Sequence, residues 1–398
     1  MPPDSPTRPS LSVLFGVVIV DLIGFGIVVP VLPFLAKQLG AGALALGLLV
    51  SAYSAAQFAL APVWGRLSDR IGRRRVLMMT IAGTALSLFA LGLSRSLGAM
   101  FAARLLGGAF AGNIGVAAAY IADVTPDAER TRWMGLLGAS FGVGFVLGPA
   151  IGGALAPLGY SVPMLAAAGL AGANWLQAAF ALREPPQHAA AEAAPPSSRF
   201  AALRDPLVRR LCAAWLAFSL AVTQLETIFA YFMMDRFGYD AHQVAFILVG
   251  MAVVMGGIQG GAMRPLASRF GERTLVVAGC LALAGSFLVV PAVHTIAGLL
   301  AVLTVCAVSR AVVQPPLMGM ASVAATVESR GAVMGTFQAS GSLARAIGPL
   351  LAGALYALRL PLPFVLGSAL LLAVALVGRA LPARDAGASS LGEAGAAG

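Results

Sequence analysis

The chain has 398 residues, 59% of them hydrophobic and only 11% charged, with a mean hydropathy of +0.89. A water-soluble domain is about a quarter charged, so this composition excludes one. The net charge of +10 rests on arginines, Lys37 being the one lysine. In a soluble protein that balance would point to nucleic acid. Here the arginines gather at the borders of apolar runs, where they set orientation in a lipid bilayer, and no nucleic-acid partner is expected.

Apolar runs of about 20 residues, each able to cross ~30 Å of hydrocarbon as a helix, recur along the whole chain. They lack the alternation of a barrel strand. The expected fold is therefore an all-α polytopic membrane protein of twelve transmembrane helices, over 11–36, 44–64, 76–94, 98–122, 133–157, 162–182, 207–233, 243–263, 274–293, 296–320, 332–357 and 362–380. The first run follows a short polar start, is too long for the apolar core of a signal peptide, and carries Asp21 in its middle; it is expected to stay as a spanning helix. Between the second and third helices, GRLSDRIGRRR (65–75) reads as a cationic loop. Residues 183–206 (REPPQHAAAEAAPPSSRFAALRDP) are rich in Pro, Ala and Ser without apolar periodicity and read as a linker. It separates a six-helix bundle over 1–182 from a second over 207–380, with a disordered tail expected at 381–398.

Counting Arg and Lys by side gives 19 on the face that holds the 65–75 loop and the linker, and four (Lys37, Arg95, Arg236, Arg359) on the other. Positive charge marks the cytoplasmic side, so both termini and the linker are placed there. The halves also repeat. At an offset of 200, Arg130 meets Arg330, Met134–Gly135 meets Met334–Gly335, and Gly148–Pro149 meets Gly348–Pro349, while LSDRIGRR (67–74) lies over LASRFGER (266–273). The two bundles are thus expected to be pseudo-symmetric, as in secondary transporters that work by alternating access.

The 65–75 stretch resembles the loop signature of the major facilitator superfamily, and twelve helices with a central linker fit that resemblance. GVGFVLGPAIGG (142–153) resembles the Gly-Pro motif of its drug:proton antiporter branch. DLIGFGIVVPVLP (21–33) and RLLGGAFAGNIGVAAAYIADVTPDAER (104–130) resemble tetracycline-type efflux proteins. The resemblance implies a bacterial inner-membrane exporter, monomeric, without cofactor, with protons, a small-molecule substrate and the lipid bilayer as its partners. It also implies a conformational latch. Asp69 would sit near the start of the eleventh helix, where a helix N-terminus favours a carboxylate. Arg73 would pair with Asp123, while Gly65 and Gly72 permit close approach and a tight turn. The second copy carries Ser268 and Glu272 where Asp69 and Arg73 stand, so no latch is expected there. Arg74 and Arg75 are read as topology. The antiporter motif itself (Gly144, Gly148, Pro149, Gly152, Gly153) has two compatible readings, a packed contact between halves and ordinary small-residue packing.

Ionisable groups within the membrane are costly and mark function by default. The acids are Asp21, about 15 Å along its helix at 1.5 Å per residue, and Glu226. Both are candidate proton carriers, the alternative for each being a structural ion pair. The resemblance links Arg104 to proton coupling through a neighbouring acid. Arg310, before Pro315–Pro316 where a helix break is expected, and Arg345, which replaces Phe145 of the first repeat, leave three cations against two anions. That spare charge either serves an anionic substrate or is hydrated. Gln57, Asn113, Gln224 and Gln338 join Arg310 and Arg345 as candidate cavity residues. Cys212, Cys280 and Cys306 are unpaired in spacing, and the three histidines are expected in loops, so no metal site is expected. No nucleophile–base constellation and no GxxxxGK[ST] loop occurs, which disfavours an enzyme or a nucleotide-driven pump. A non-transporting sensor would be expected to show a longer soluble segment than 381–398.

Overall fold

In lipid an apolar run can satisfy its backbone groups only as a helix or in a closed barrel, and the computed structural model contains twelve helices long and apolar enough to cross a membrane. They are α1 (Leu11–Gln38), α2 (Ala43–Ile71), α3 (Arg73–Gly92), α4 (Leu97–Val124), α5 (Trp133–Leu158), α6 (Ser161–Ala181), α7 (Pro206–Phe237), α8 (Ala241–Phe270), α9 (Glu272–Ala292), α10 (Ile296–Val323), α11 (Val333–Leu358) and α12 (Leu362–Arg379). The structure describes residues 8–125, 127–185, 201–324 and 330–381, and no strand occurs among them. Residues 186–200 of the expected linker, with His188, and residues 382–398 of the expected tail lie outside the described residues.

The described residues within Met1–Ala194 and Ala230–Val249 form one compact unit; those within Pro195–Phe229 and Gly250–Gly398 form a second. In the first unit α5 packs along α1 through glycines. A Cβ at Gly148 would meet Gly26 Cα at 2.5 Å, one at Gly144 would meet Leu22 Cβ at 2.6 Å, and one at Gly152 the Ile27 carbonyl at 2.5 Å. Only Gly permits backbones this close. The second unit repeats the arrangement, with Gly348 of α11 against Thr223 and Leu220 of α7. Of the antiporter-motif glycines, then, three pack inside the first bundle. Gly153 alone faces the second sequence half, where a Cβ would crowd Ala245.

Four expectations are corrected by the fold. The 65–75 stretch is not a loop: α2 runs on to Ile71, and Gly72, at φ +104°, is the whole break before α3 starts at Arg73. The second copy behaves alike, with Gly271 at φ +76° between α8 and α9. Gly65 supports no close approach, since a Cβ there would meet nothing within 4 Å. The break expected at Pro315–Pro316 is absent, because α10 continues through both. His242 lies in the first turn of α8 rather than in a loop, its Nδ1 2.9 Å from the Gly153 carbonyl oxygen.

Candidate functional site

The polar groups of the first unit collect where α4 is interrupted. Its backbone turns aside at Ala111–Gly112, and a freed carbonyl at membrane depth needs a donor from elsewhere. Gln57 Nε2 donates to Ala111 O at 3.2 Å, and Trp64 Nε1 donates to Ala109 O at 2.5 Å. Gln57, a candidate cavity residue, is thus engaged in holding the interruption. The helix resumes at Asn113, whose Nδ2 donates to Asp21 Oδ1 at 2.8 Å. Asp21 is therefore held by a neutral amide, while the buried Asn113 Oδ1 has no partner.

Arg104 is buried, and the acid expected beside it is not there: among the described residues no carboxylate lies within ion-pair distance. Its Nε donates to Leu49 O at 3.4 Å, and its guanidinium stacks over Tyr53, with Cζ 4.3 Å from the ring centroid. The ring also contacts Phe25, 6.0 Å between centroids, and Phe25 meets Phe145 at 6.4 Å. Tyr53, Phe25 and Phe145 were not singled out by sequence. Phe25 alone had a usable signal, since it follows Asp21 by one helical turn and shares its face.

At the arginine-rich end of the same unit, Arg73 is shared by two carboxylates. Its Nη1 lies 2.5 Å from Asp69 Oδ1, its Nε lies 2.7 Å from Asp123 Oδ2, and Nη1 donates to Ser68 Oγ at 2.6 Å. An arginine at the first position of a helix opposes the helix dipole, and the paired acids offset that. The Arg73 side chain is 15% exposed. Arg74 does more than mark topology. It donates to Leu182 O at 2.7 Å and Ala179 O at 2.6 Å, capping carbonyls left without partners where α6 ends.

At the opposite end, the segment 230–249 is fastened to the rest of its unit. Lys37 Nζ pairs with Asp235 Oδ1 at 2.8 Å and lies 5.4 Å from the Tyr231 ring centroid. The Tyr231 hydroxyl donates to Ala41 O at 2.7 Å.

In the second unit, Glu226 Oε1 lies 2.5 Å from Arg310 Nη1, the side chains being 48% and 29% exposed. The buried Arg310 Nε has no partner. Arg345 is exposed on α11, and its Nη2 donates to Ser342 Oγ at 3.1 Å. Gln338 is exposed on the same helix. Gln224 is different: at 0% exposure it donates to Leu220 O at 3.1 Å and to Gly348 O at 3.3 Å. It joins α7 to α11 and lines no cavity, contrary to the sequence expectation.

The sequence profile of the Major Facilitator Superfamily matches residues 14–267 and 232–397. The tetracycline resistance protein, class D, of Salmonella ordonez is 32% identical over 358 residues, spanning 86% of this chain and 88% of that protein. Among solved structures, the human organic anion transporter MFSD10 (TETRAN) is 28% identical, with a TM-score of 0.70 over 94% of this chain and 100% of that one. A bacterial homolog of the human lysosomal transporter Spinster shares the fold at 15% identity, with a TM-score of 0.80 over 94% of this chain and 97% of that one.

Proposed function

The chain belongs to the Major Facilitator Superfamily, and from that premise we propose that it is a proton-coupled secondary transporter that exports small amphipathic compounds by alternating access. The observation that carries this reading is Asp21, about 15 Å from the start of α1 and held by the neutral amide of Asn113, in a chain about one-third identical to a tetracycline resistance protein over most of its length. Arginine bias supports a multi-pass protein of a bacterial inner membrane with both termini cytoplasmic. On this reading it acts as a monomer whose two bundles, 1–182 and 207–380, alternate access between the two sides of the membrane.

Each group then has a task. A proton arriving from outside neutralises Asp21 without breaking an ion pair, since its partner is the Asn113 amide. Protonation of Glu226 would break its pair with Arg310. Asp69, Arg73 and Asp123 form the latch on the cytoplasmic side, anchored at Gly72. Gly144, Gly148, Pro149 and Gly152 keep α5 rigid against α1, and Gly153 reaches α8. Phe25, Tyr53 and Phe145 supply an adaptable apolar wall of the kind that polyspecific sites use. A second reading, coupled transport of a metabolite such as a sugar or organic anion, is favoured for anions by the uncompensated Arg345 and by the likeness to an organic anion transporter.

The test is growth of a drug-sensitised bacterium expressing the protein, across a panel of toxic compounds, with and without a proton uncoupler. Protection that the uncoupler cancels supports the proposal. Protection unaffected by it removes proton coupling, and no protection against any compound removes export.

A further inference from the structure

We infer that Arg345 and Arg310 form the receptor for an anionic head group on the transported compound, with Glu226 as the resident counter-ion that this group displaces from Arg310. The inference rests on the transporter reading and names the chemistry of its cargo. Arg310 lies about 20 Å from either end of α10, and Arg345 about 18–20 Å from either end of α11, at 1.5 Å per residue. Both therefore stand at mid-membrane depth. Charges there face a water-filled path rather than lipid, and the exposure of Arg345 and Glu226 fits such a path.

The charges do not balance. One carboxylate stands against the two guanidinium groups at this depth: Glu226 bonds Arg310, and Arg345 has only the Ser342 hydroxyl as a direct partner. A second vacancy lies on Arg310, whose buried Nε has no acceptor. An arginine offers five donors in a planar fork shaped for two oxygens of one anion. Two such forks with unfilled donors fit a carboxylate or sulfonate, whereas a neutral or cationic head group would leave the excess charge uncompensated. The first unit shows no such excess, since its one deep arginine, Arg104, is covered by the Tyr53 ring.

The experiment uses the purified full-length protein in lipid nanodiscs and two probes of matched shape, 1-naphthoate and the neutral 1-naphthamide, with binding read by calorimetry. Naphthoate is expected to bind at least ten-fold more tightly than naphthamide. Arg345→Gln should abolish that preference, and an unchanged melting temperature in the nanodisc shows that the variant is folded. Glu226→Gln, which removes the competing carboxylate, should tighten naphthoate binding several-fold. Equal affinities in the wild-type protein, absence of naphthoate binding, or an undiminished preference in Arg345→Gln would each overturn the inference. Uncoupler-sensitive efflux of other compounds would survive any of these results, so a failed anion site is distinct from a failed transporter.

Discussion

The two units hold their membrane-embedded acids in opposite ways. In the first, Asp21 is bonded to a neutral amide and Arg104 to a carbonyl and an aromatic face, so neither ion neutralises the other directly. In the second, Glu226 is bonded directly to Arg310. The difference decides what a proton would do at each. Protonating Asp21 breaks no ion pair, while protonating Glu226 breaks one and leaves Arg310 uncompensated in addition to Arg345. A carboxylate that cycles between charged and neutral with little structural consequence suits repeated turnover. One bound into an ion pair suits partner exchange. Asp21 is accordingly the better proton carrier, and Glu226 the better counter-ion.

The sharpest break of this comparison is Asp21→Asn, which should reduce uncoupler-sensitive efflux to the level of cells lacking the protein while membrane insertion is retained. Glu226→Gln should leave a measurable fraction of that efflux. Equal losses would mean that the two acids act as one system. Next in size is a pair of helix-packing substitutions at equivalent positions of the repeat. Gly148→Ala sets a methyl against the backbone of Gly26, which cannot yield, whereas Gly348→Ala meets side-chain atoms of Thr223 and Leu220, which can. Overpacking of this kind costs about 1–3 kcal/mol, so Gly148→Ala should lower the unfolding temperature in detergent clearly more than Gly348→Ala. Smaller again is Arg310→Gln. Breaking a fully buried pair costs about 3–5 kcal/mol, but this one is partly exposed and solvent-screened, so about 1–2 kcal/mol is expected. The double variant with Glu226→Gln should recover most of that loss in the same melt.

The architecture was legible in the sequence because lipid allows few solutions: twelve apolar runs had to be helices, and the repeated Gly148/Gly348 register reappears as α5 against α1 and α11 against α7. Partners across helices were not legible. The sequence marks Arg104 as an ion within the membrane but not that its cover is Tyr53, because any residue one helix away is equally near in composition. Gln224 and Gln57 looked like cavity groups for the same reason. A glutamine facing water and one satisfying a helix carbonyl are identical in sequence. The arginine-rich stretch misled in another way. Its charges suggested a loop, yet LSDRI continues α2 with Asp69 and Arg70 exposed and Ser68 buried, and one glycine at positive φ suffices to turn the chain.

The smallest effect concerns that aromatic cover. Tyr53→Phe keeps a ring face over Arg104 and should leave both stability and efflux within about 0.5 kcal/mol of the wild type. Tyr53→Leu removes the face and exposes a buried guanidinium to its remaining partner, the Leu49 carbonyl. A cation–π contact is worth about 0.5–1 kcal/mol when exposed and ~2 or more when desolvated, so the leucine variant should lose about 1–2 kcal/mol in the melt. Its functional effect separates two roles for the ring. If Tyr53 only covers the charge, pairing the leucine variant with Arg104→Met should restore stability, and efflux should fall no further than in Arg104→Met alone. If the ring instead serves the transport path directly, Tyr53→Leu should lower efflux further when it is added to Arg104→Met. Measuring uncoupler-sensitive efflux for Arg104→Met with and without Tyr53→Leu distinguishes the two, because only a ring with a role of its own matters once the charge it covers is gone.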